Sequence, residues 1–308
     1  MFTWRTGKRF MREPHTGPSF LIDQLVPAQG ITLVFGPPSC GKSTLLWTMA
    51  ESIRKGTPFL GKYRTSKALT LLCNLDMPSI QIYNRMKNAN YEPRFDICDF
   101  ANHLNITTLQ ANHPGVFQAL AYKARRYQVV MIDSLSTITN GLSLKDDWVP
   151  GLTVAALRGL FPHQAIILLH HSRKQTMGQF GPIPPHREDA LGSNLWMAMV
   201  QSELQMYLKG NHLAHLQIVK SQVAPENEGD DVYVDDVGCR VLPYLPNDAT
   251  QWLLRLSRAE QSAVALDPAY TKKSMVERHD VIGTLLTPPI TGRTVRRWII
   301  RTKYQMLP

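Results

Sequence analysis

The chain has 308 residues, 44% of them hydrophobic, with 34 Lys and Arg against 24 Asp and Glu and a formal net charge of +10. That balance excludes wholesale disorder, and the length suits one large domain, or a core domain with a small appendage, able to bury a core without staples. The uninterrupted apolar runs, Val129–Ile132, Ala165–Leu169 and Leu195–Val200 among them, stop at four to six residues, far short of the roughly 20 that a membrane helix needs.

In chain order, residues 1–24 form a basic N-terminal segment with no apolar stretch behind it, which argues against a secretory signal. The four cysteines show no metal-type spacing. Together these features predict free thiols in a reducing, cytoplasmic setting. From residue 25 to 257 short apolar runs alternate with helical patterns. Strands are predicted at Ile31–Phe35, Ala68–Cys73, Gln128–Ile132 and Ala165–Leu169, and helices at Lys42–Arg54, Ser79–Ala89, Gly115–Arg126 and Val149–Leu160. This alternation predicts an α/β domain with a mainly parallel central sheet. Leu204–Leu208, Leu213–Val219 and Asp231–Val234 read as consecutive strands that extend it in antiparallel fashion. Residues 222–250 carry seven acids and one base, and from Arg255 onward ten bases face four acids. This charge swing marks off residues 258–308 as a small basic helical module.

The first predicted strand ends in Gly36-Pro37-Pro38-Ser39-Cys40-Gly41-Lys42-Ser43-Thr44, a G-x-x-x-x-G-K-S phosphate loop between strand and helix. Gly36 and Gly41 let backbone amides approach an anion, and the helix start at Lys42 completes the cradle. Lys42, read as a solvent-facing point charge, reaches the terminal phosphates, and Ser43 ligates Mg²⁺. About 90 residues later Val129–Ile132 delivers Asp133 to the tip of the sheet, where it would hold the same ion. No Asn-Lys-x-Asp base-reading motif occurs, so the nucleotide expected is ATP.

At these motifs the chain resembles the RecA-like P-loop ATPases, closest to the plasmid RepA-type and replicative hexameric helicase branch. Four segments between Leu25 and Lys220 carry the resemblance: Gly30–Gly36 leading into the loop, Asn74-Leu75-Asp76-Met77-Pro78 followed by Arg85, Leu168-Leu169-His170-His171-Ser172-Arg173-Lys174, and Ala190-Leu191-Gly192-Ser193 with the strand after it. The resemblance implies a RecA-like core, ATP and Mg²⁺ as ligands, and Asp76 as the base that activates water. It implies His170 or His171 as the sensor of the terminal phosphate. It also implies a head-to-tail homo-oligomer, with a hexamer favoured, acting on nucleic acid, single-stranded DNA above all, in plasmid, phage or other mobile-element DNA metabolism. Two departures stand out. The family base is usually Glu, one methylene longer than Asp76. The late K-x-R pair, which reaches a neighbouring subunit's nucleotide, is matched here by Lys220 with Gln222 in place of the arginine.

In the RecA-like rings that the chain resembles, two loops after the core strands face the central pore and its nucleic acid; the resemblance implies that here they are about Thr137–Trp148 and Ser172–Asp189. The second has 18 residues, little sign of regular structure, and the bases Arg173, Lys174 and Arg187; such a loop binds phosphates with little sequence preference. In the tail, Ser274–Leu286 has helical spacing, Pro288-Pro289 breaks it, and Thr291–Arg301 presents Arg293, Arg296 and Arg297 on a basic helix. This fits a helix-turn-helix contact with DNA or a helix that docks on the core or on a neighbour. Two rival functions remain in view: a nucleotide-gated adaptor that recruits another replication or recombination enzyme, and a small-molecule kinase. The kinase lacks an arginine-rich lid and leaves the basic charge unexplained.

Overall fold

A computed structural model of the protein describes residues 6–12, 19–99, 114–139, 142–178, 181–184, 186, 195–210, 212–222, 229–235, 238–244 and 274–285. A short exposed helix, α1 (Gly7–Arg12), precedes a small antiparallel pair, β1 (Phe20–Ile22) and β2 (Val26–Pro27). The core then runs β3 (Gly30–Gly36), α2 (Lys42–Lys55), β4 (Thr70–Asn74), α3 (Ser79–Asn88), β5 (Asp96–Asp99) and α4 (Pro114–Ala124). It continues with β6 (Val129–Asp133), α5 (Leu135–Ile138), α6 (Trp148–Leu160), β7 (Ala165–His171) and a short hairpin, β8 (Met177–Gly178) with β9 (Gly181–Pro182). After α7 (Leu195–Met199) come β10 (Ser202–Gly210), β11 (Leu213–Ser221), β12 (Asp230–Asp235) and β13 (Arg240–Pro243), and the last described element is α8 (Met275–Leu285).

Among the described residues, nine strands form one sheet in the order β13-β12-β11-β10-β3-β7-β6-β4-β5. The six strands from β10 to β5 are parallel, and β11, β12 and β13 add antiparallel ladders beyond β10. The predicted strands are all present, with ends moved by a few residues. The inner strands are buried on both faces, which is why Val129–Ile132 and Ala165–Leu169 are continuously apolar. One face packs against α2 and α3 through Leu45, Met49, Ile53, Ile82 and Met86. The other packs against α4 to α7 through Ala124, Leu135, Val154, Leu157 and Trp196. Within residues 1–24, Leu21 and Ile22 already belong to the first of these cores.

The sheet curls around α2. On one flank Arg85 of α3 lies 4.9 Å from the Trp47 ring. On the other, Val241 N–H donates to Thr48 Oγ1 at 2.8 Å, and the Cys239 thiol reaches across to the Arg85 carbonyl at 3.4 Å. So enclosed, α2 buries polar as well as apolar positions, Lys42, Thr44 and Ser52 included. It stops at Gly56, whose φ of 72° lets its N–H return to the Ser52 carbonyl.

Two tail features divide. α8 matches the predicted helix and opens with a reciprocal capping box, Ser274 N–H to Glu277 Oε2 at 2.8 Å and Glu277 N–H to Ser274 Oγ at 3.3 Å. The proposed basic helix with Arg293, Arg296 and Arg297 lies outside the described residues. The reading of Ser172–Asp189 as structureless is corrected: among its described residues Met177 pairs with Pro182 and Gly178 with Gly181 in antiparallel fashion.

Trp47 is 2% exposed between sheet, α3 and the β12–β13 flank. Trp47→Ala is expected to lower unfolding free energy by about 3–5 kcal/mol, read as a shift of the urea midpoint at unchanged slope.

Candidate functional site

The phosphate loop leaves β3 at Gly36 and enters α2 at Lys42, and both fixed glycines are demanded by packing. A Cβ on Gly36 would stand 2.0 Å from the Met206 carbonyl oxygen of β10. Gly41 has φ +95°, and a Cβ there would meet Val234 Cγ1 of β12 at 2.7 Å. Cys40 turns inward, 1% exposed, with its thiol directed at the same Met206 carbonyl at 3.5 Å; burial pushes that thiol up.

The expectation of a solvent-facing Lys42 is corrected. It is 6% exposed, and its ammonium donates to the Gly36 and Pro37 carbonyls at 3.0 and 2.7 Å. Burial lowers its pKa, against the opposing pull of Cys40, Asp133 and Asp76. A lysine at a helix start reads as exposed because nothing in the sequence shows that its ammonium folds back onto the loop's own carbonyls.

Ser43 Oγ donates to Asp133 Oδ2 at 2.7 Å, so the two predicted metal ligands, 90 positions apart, meet at one point. Burial raises Asp133 to about 6; the Ser43 hydrogen bond opposes this, Asp76 adds to it, and Lys42 and Arg85 oppose it. A serine hydroxyl beside a carboxylate is a hard oxygen pair of the kind Mg²⁺ takes, so these residues fit the ion.

Asp76 sits on the exposed turn after β4, within electrostatic reach of Lys42, Asp133 and His171. Asn74, 2% exposed, shapes that turn: its amide nitrogen donates to the Met77 carbonyl at 2.5 Å, and its amide oxygen accepts the Met77 N–H at 3.2 Å. Asn74 also donates to Asp99 Oδ1 at 2.9 Å, tying the turn to the edge strand.

The histidine pair separates by strand alternation. His170 is fully buried, its ring 6.3 Å from that of Trp196. His171 stands level with Gly36, and burial, reinforced by the charge of Lys42, keeps its pKa low, with Asp76 opposing. Next in the chain, Ser172 N–H donates to the Gly36 carbonyl at 2.9 Å. Of the two candidates, His171 is the one at the phosphate loop.

Arg85 enters the site from α3. Its guanidinium donates to Thr44 Oγ1 at 3.3 Å and helps hold down the Asp133 carboxyl. In the sequence Arg85 is visible only as the end of a motif, and its spacing from Asp76 is the available signal.

Lys220 is not beside the phosphate loop of its own chain. It lies level with Glu203 and Leu33, three strand positions back from Gly36. There its ammonium donates to the Met197 carbonyl and, at 3.0 Å, to the Val200 carbonyl, and lies 3.8 Å from the buried Glu203. Within this chain it therefore closes the end of α7 and does not line the nucleotide cradle. Arg173 and Lys174 are exposed beyond the tip of β7, and Arg187 lies outside the described residues.

A glycine cradle at a helix start, with a lysine, a serine–aspartate pair and a strand-tip carboxylate around it, defines a P-loop ATPase of RecA-like fold. The chain belongs to the AAA domain family, whose model matches residues 5–177. Among curated proteins none matches in sequence. Among solved structures, one ATPase domain aligns with a TM-score of 0.51 at 12% identity, over 71% of this chain and 86% of that one. A KaiC-like protein from Pyrococcus horikoshii OT3 aligns with a TM-score of 0.49 at 13% identity, over 73% and 94%. The RadB recombinase gives 0.46 at 12%, over 72% and 93%. Among the described residues no helix is long and apolar enough to cross a membrane.

The raised Asp133 has a signed consequence for the metal-free protein. Its native carboxyl holds a proton up to about pH 6, against 3.8 for the ordinary group. The native state thus binds more protons than the unfolded chain between these values, and stability falls as pH rises through them. Asp133→Asn is expected to flatten that part of the curve, measured by urea unfolding in chelator across pH 4–7.

Proposed function

We propose that the protein is an ATP hydrolase that works on nucleic acid, single-stranded DNA first. The observation that carries the hydrolase reading is the convergence of Lys42, Ser43, Asp133, Asp76 and His171 at one end of β3, β4, β6 and β7. Loop amides from Gly36 to Thr44 would cradle the phosphates. Lys42 would exchange the Gly36 and Pro37 carbonyls for phosphate oxygens. Ser43 and Asp133 would hold Mg²⁺, whose charge, when bound, offsets that of the phosphates. Asp76 takes the proton of the attacking water, directly or through one water. His171, neutral because it is half-buried, offers one donor and one acceptor to relay the state of the terminal phosphate. Arg85 steadies the developing charge from the far side of Thr44.

Nucleic acid would meet Arg173, Lys174 and Arg187 beyond β7, with the basic tail as a second contact through Arg293, Arg296 and Arg297. The net charge of +10 supports a polyanionic partner. Residues 25–257 would form the ATPase unit, flanked by a basic segment at 1–24 and a helical module at 258–308, in a head-to-tail ring or filament. The setting would be the cytoplasm and mobile-element DNA metabolism. One observation favours the adaptor as second reading: Lys220 is engaged within its own chain and Gln222 stands where an arginine finger is expected. A finger contributes about 10³–10⁵ in rate, so an enzyme without one is a slow switch suited to recruiting another protein.

Lys42→Ala is expected to reduce ATP turnover at least about a hundredfold while circular dichroism stays native; wild-type turnover in that variant removes the hydrolase reading. Asp76→Glu restores the longer base and should raise turnover.

Replacing Arg173, Lys174 and Arg187 together by Ala should weaken poly(dT) binding and lower its log–log salt slope by up to about two units, at about 0.7 per lost phosphate contact. Unchanged affinity across several salt concentrations would move the contact to the tail.

A further inference from the structure

β10 is longer than the strand beside it. It pairs with β3 only from Ser202 to Gln205, because β3 ends where the phosphate loop begins. The rest of that edge of β10 is bonded by two different visitors. The Met206 carbonyl receives the Cys40 thiol of the phosphate loop. Two residues on, Leu208 is bonded through both of its backbone groups by one side chain: Gln175 Nε2 donates to the Leu208 carbonyl at 2.8 Å, and Leu208 N–H donates to Gln175 Oε1 at 3.1 Å.

Gln175 therefore stands in for a missing strand. Its second amide proton goes to the Ile183 carbonyl at 3.0 Å, and Ile183 N–H closes on the Thr176 carbonyl at 2.9 Å. One amide thus joins both legs of the β8–β9 hairpin to β10, with two donors and an acceptor satisfied. Further along the same strand Gln205 donates to the His186 carbonyl at 3.3 Å and receives the amide of Gln217, its partner on β11, at 2.6 Å. The segment that leaves β7 beside His171, Arg173 and Lys174 is fixed to the strand that also backs the phosphate loop.

We propose that Gln175 is a positioning residue that holds the β8–β9 hairpin in the geometry that engages single-stranded nucleic acid and links that engagement to the phosphate loop through Met206–Leu208 of β10. This rests on the nucleic-acid reading above. The Gln175 side chain bonds Leu208 and Ile183 and neither the nucleotide cradle nor a basic side chain, so its loss leaves basal hydrolysis in place and removes the response to nucleic acid. Gln175→Glu keeps size and shape and can still accept the Leu208 N–H. It loses both donors and sets a carboxylate against the Leu208 and Ile183 carbonyls, so a role in packing alone would not register it.

The experiment compares full-length wild type, Gln175→Ala and Gln175→Glu by hydrogen exchange at the amides of 176–183, by poly(dT) affinity, and by ATP turnover with and without poly(dT). In both variants the hairpin amides should exchange faster and the poly(dT) Kd should rise roughly tenfold. Stimulated turnover should fall towards the basal rate, which stays at wild type along with Tm. Unchanged hairpin exchange overturns the fastening. Faster exchange with unchanged poly(dT) affinity overturns the link to nucleic acid, and so does basal turnover that falls in step with stimulated turnover. If wild type neither binds poly(dT) nor responds to it, the nucleic-acid reading falls with the link, while the exchange contrast still decides whether Gln175 holds the hairpin.

Discussion

The site depends on a close approach of two backbones. Gly36 lies so near the Met206 carbonyl that a methyl group would overlap it at 2.0 Å, and Gly41 rests on Val234 in the same way. The glycines of a phosphate loop are commonly explained by the anion they admit. Here they also admit the protein itself: the loop is seated on β10 and β12, about 170 and 200 residues further along the chain. A loop with a strand at its back keeps its amides aimed without a ligand to order them, which is what preorganised phosphate stabilisation requires. The same seating turns Cys40 inward, onto the Met206 carbonyl.

Enclosure sets the electrostatics. Burial disfavours the charged form of each group, lowering Lys42 and raising Asp133 towards about 6. Neither shift runs to completion, because each charge lies within reach of the other and Ser43 and Arg85 also favour the ionised carboxyl. The outcome is a pair of charges held with few internal partners, Lys42 on two carbonyls and Asp133 on one hydroxyl. An incoming polyanion with its cation offers each of them a stronger partner. Half-burial of His171 acts in the same direction, and the charge of Lys42 adds to it, so that the neutral imidazole is favoured beside the lysine.

Much of this was legible in the sequence where the chemistry is local. The loop motif, the apolar strand ending in Asp133 and the alternation of strands with helices follow from residue types within a few positions of one another. Edge and tertiary features were not. β5 reads Asp96-Ile97-Cys98-Asp99, without the long apolar run of a strand buried on both faces, because it closes the sheet. The seating of Gly36 and Gly41 depends on Met206 and Val234, far along the chain. The hairpin after β7 was hidden because its strands are two residues each and it is fastened by Gln175 to Leu208, a pairing between a side chain and a distant strand that no period reveals. Alternation along β7 predicted that His170 and His171 face opposite ways, but only the packing of Trp196 shows which one is turned from the loop.

The placement of Lys220 and Gln222 bears on how hydrolysis could be controlled in an assembly. Gln222 N–H bonds the Gln201 carbonyl, and Gln201 N–H bonds the Ile31 carbonyl. Gln222 is therefore level with Ile31, five strand positions back from Gly36, or about 16 Å along the sheet. In a head-to-tail arrangement the edge carrying Lys220 is the kind of surface that could face a neighbour's phosphate loop. Lys220 is already committed there to carbonyls at the end of α7 and to a fully buried Glu203. Withdrawing its ammonium would break those carbonyl bonds and move the charge away from Glu203. The lysine is thus better suited to fixing α7 and the start of β10 than to crossing an interface. Gln222, exposed and uncharged, brings no positive charge to the transition state. On the proposed head-to-tail reading, an assembly built from this chain would hydrolyse slowly unless another group supplied that charge, and a partner or nucleic acid that reorganised this region would be positioned to set the rate.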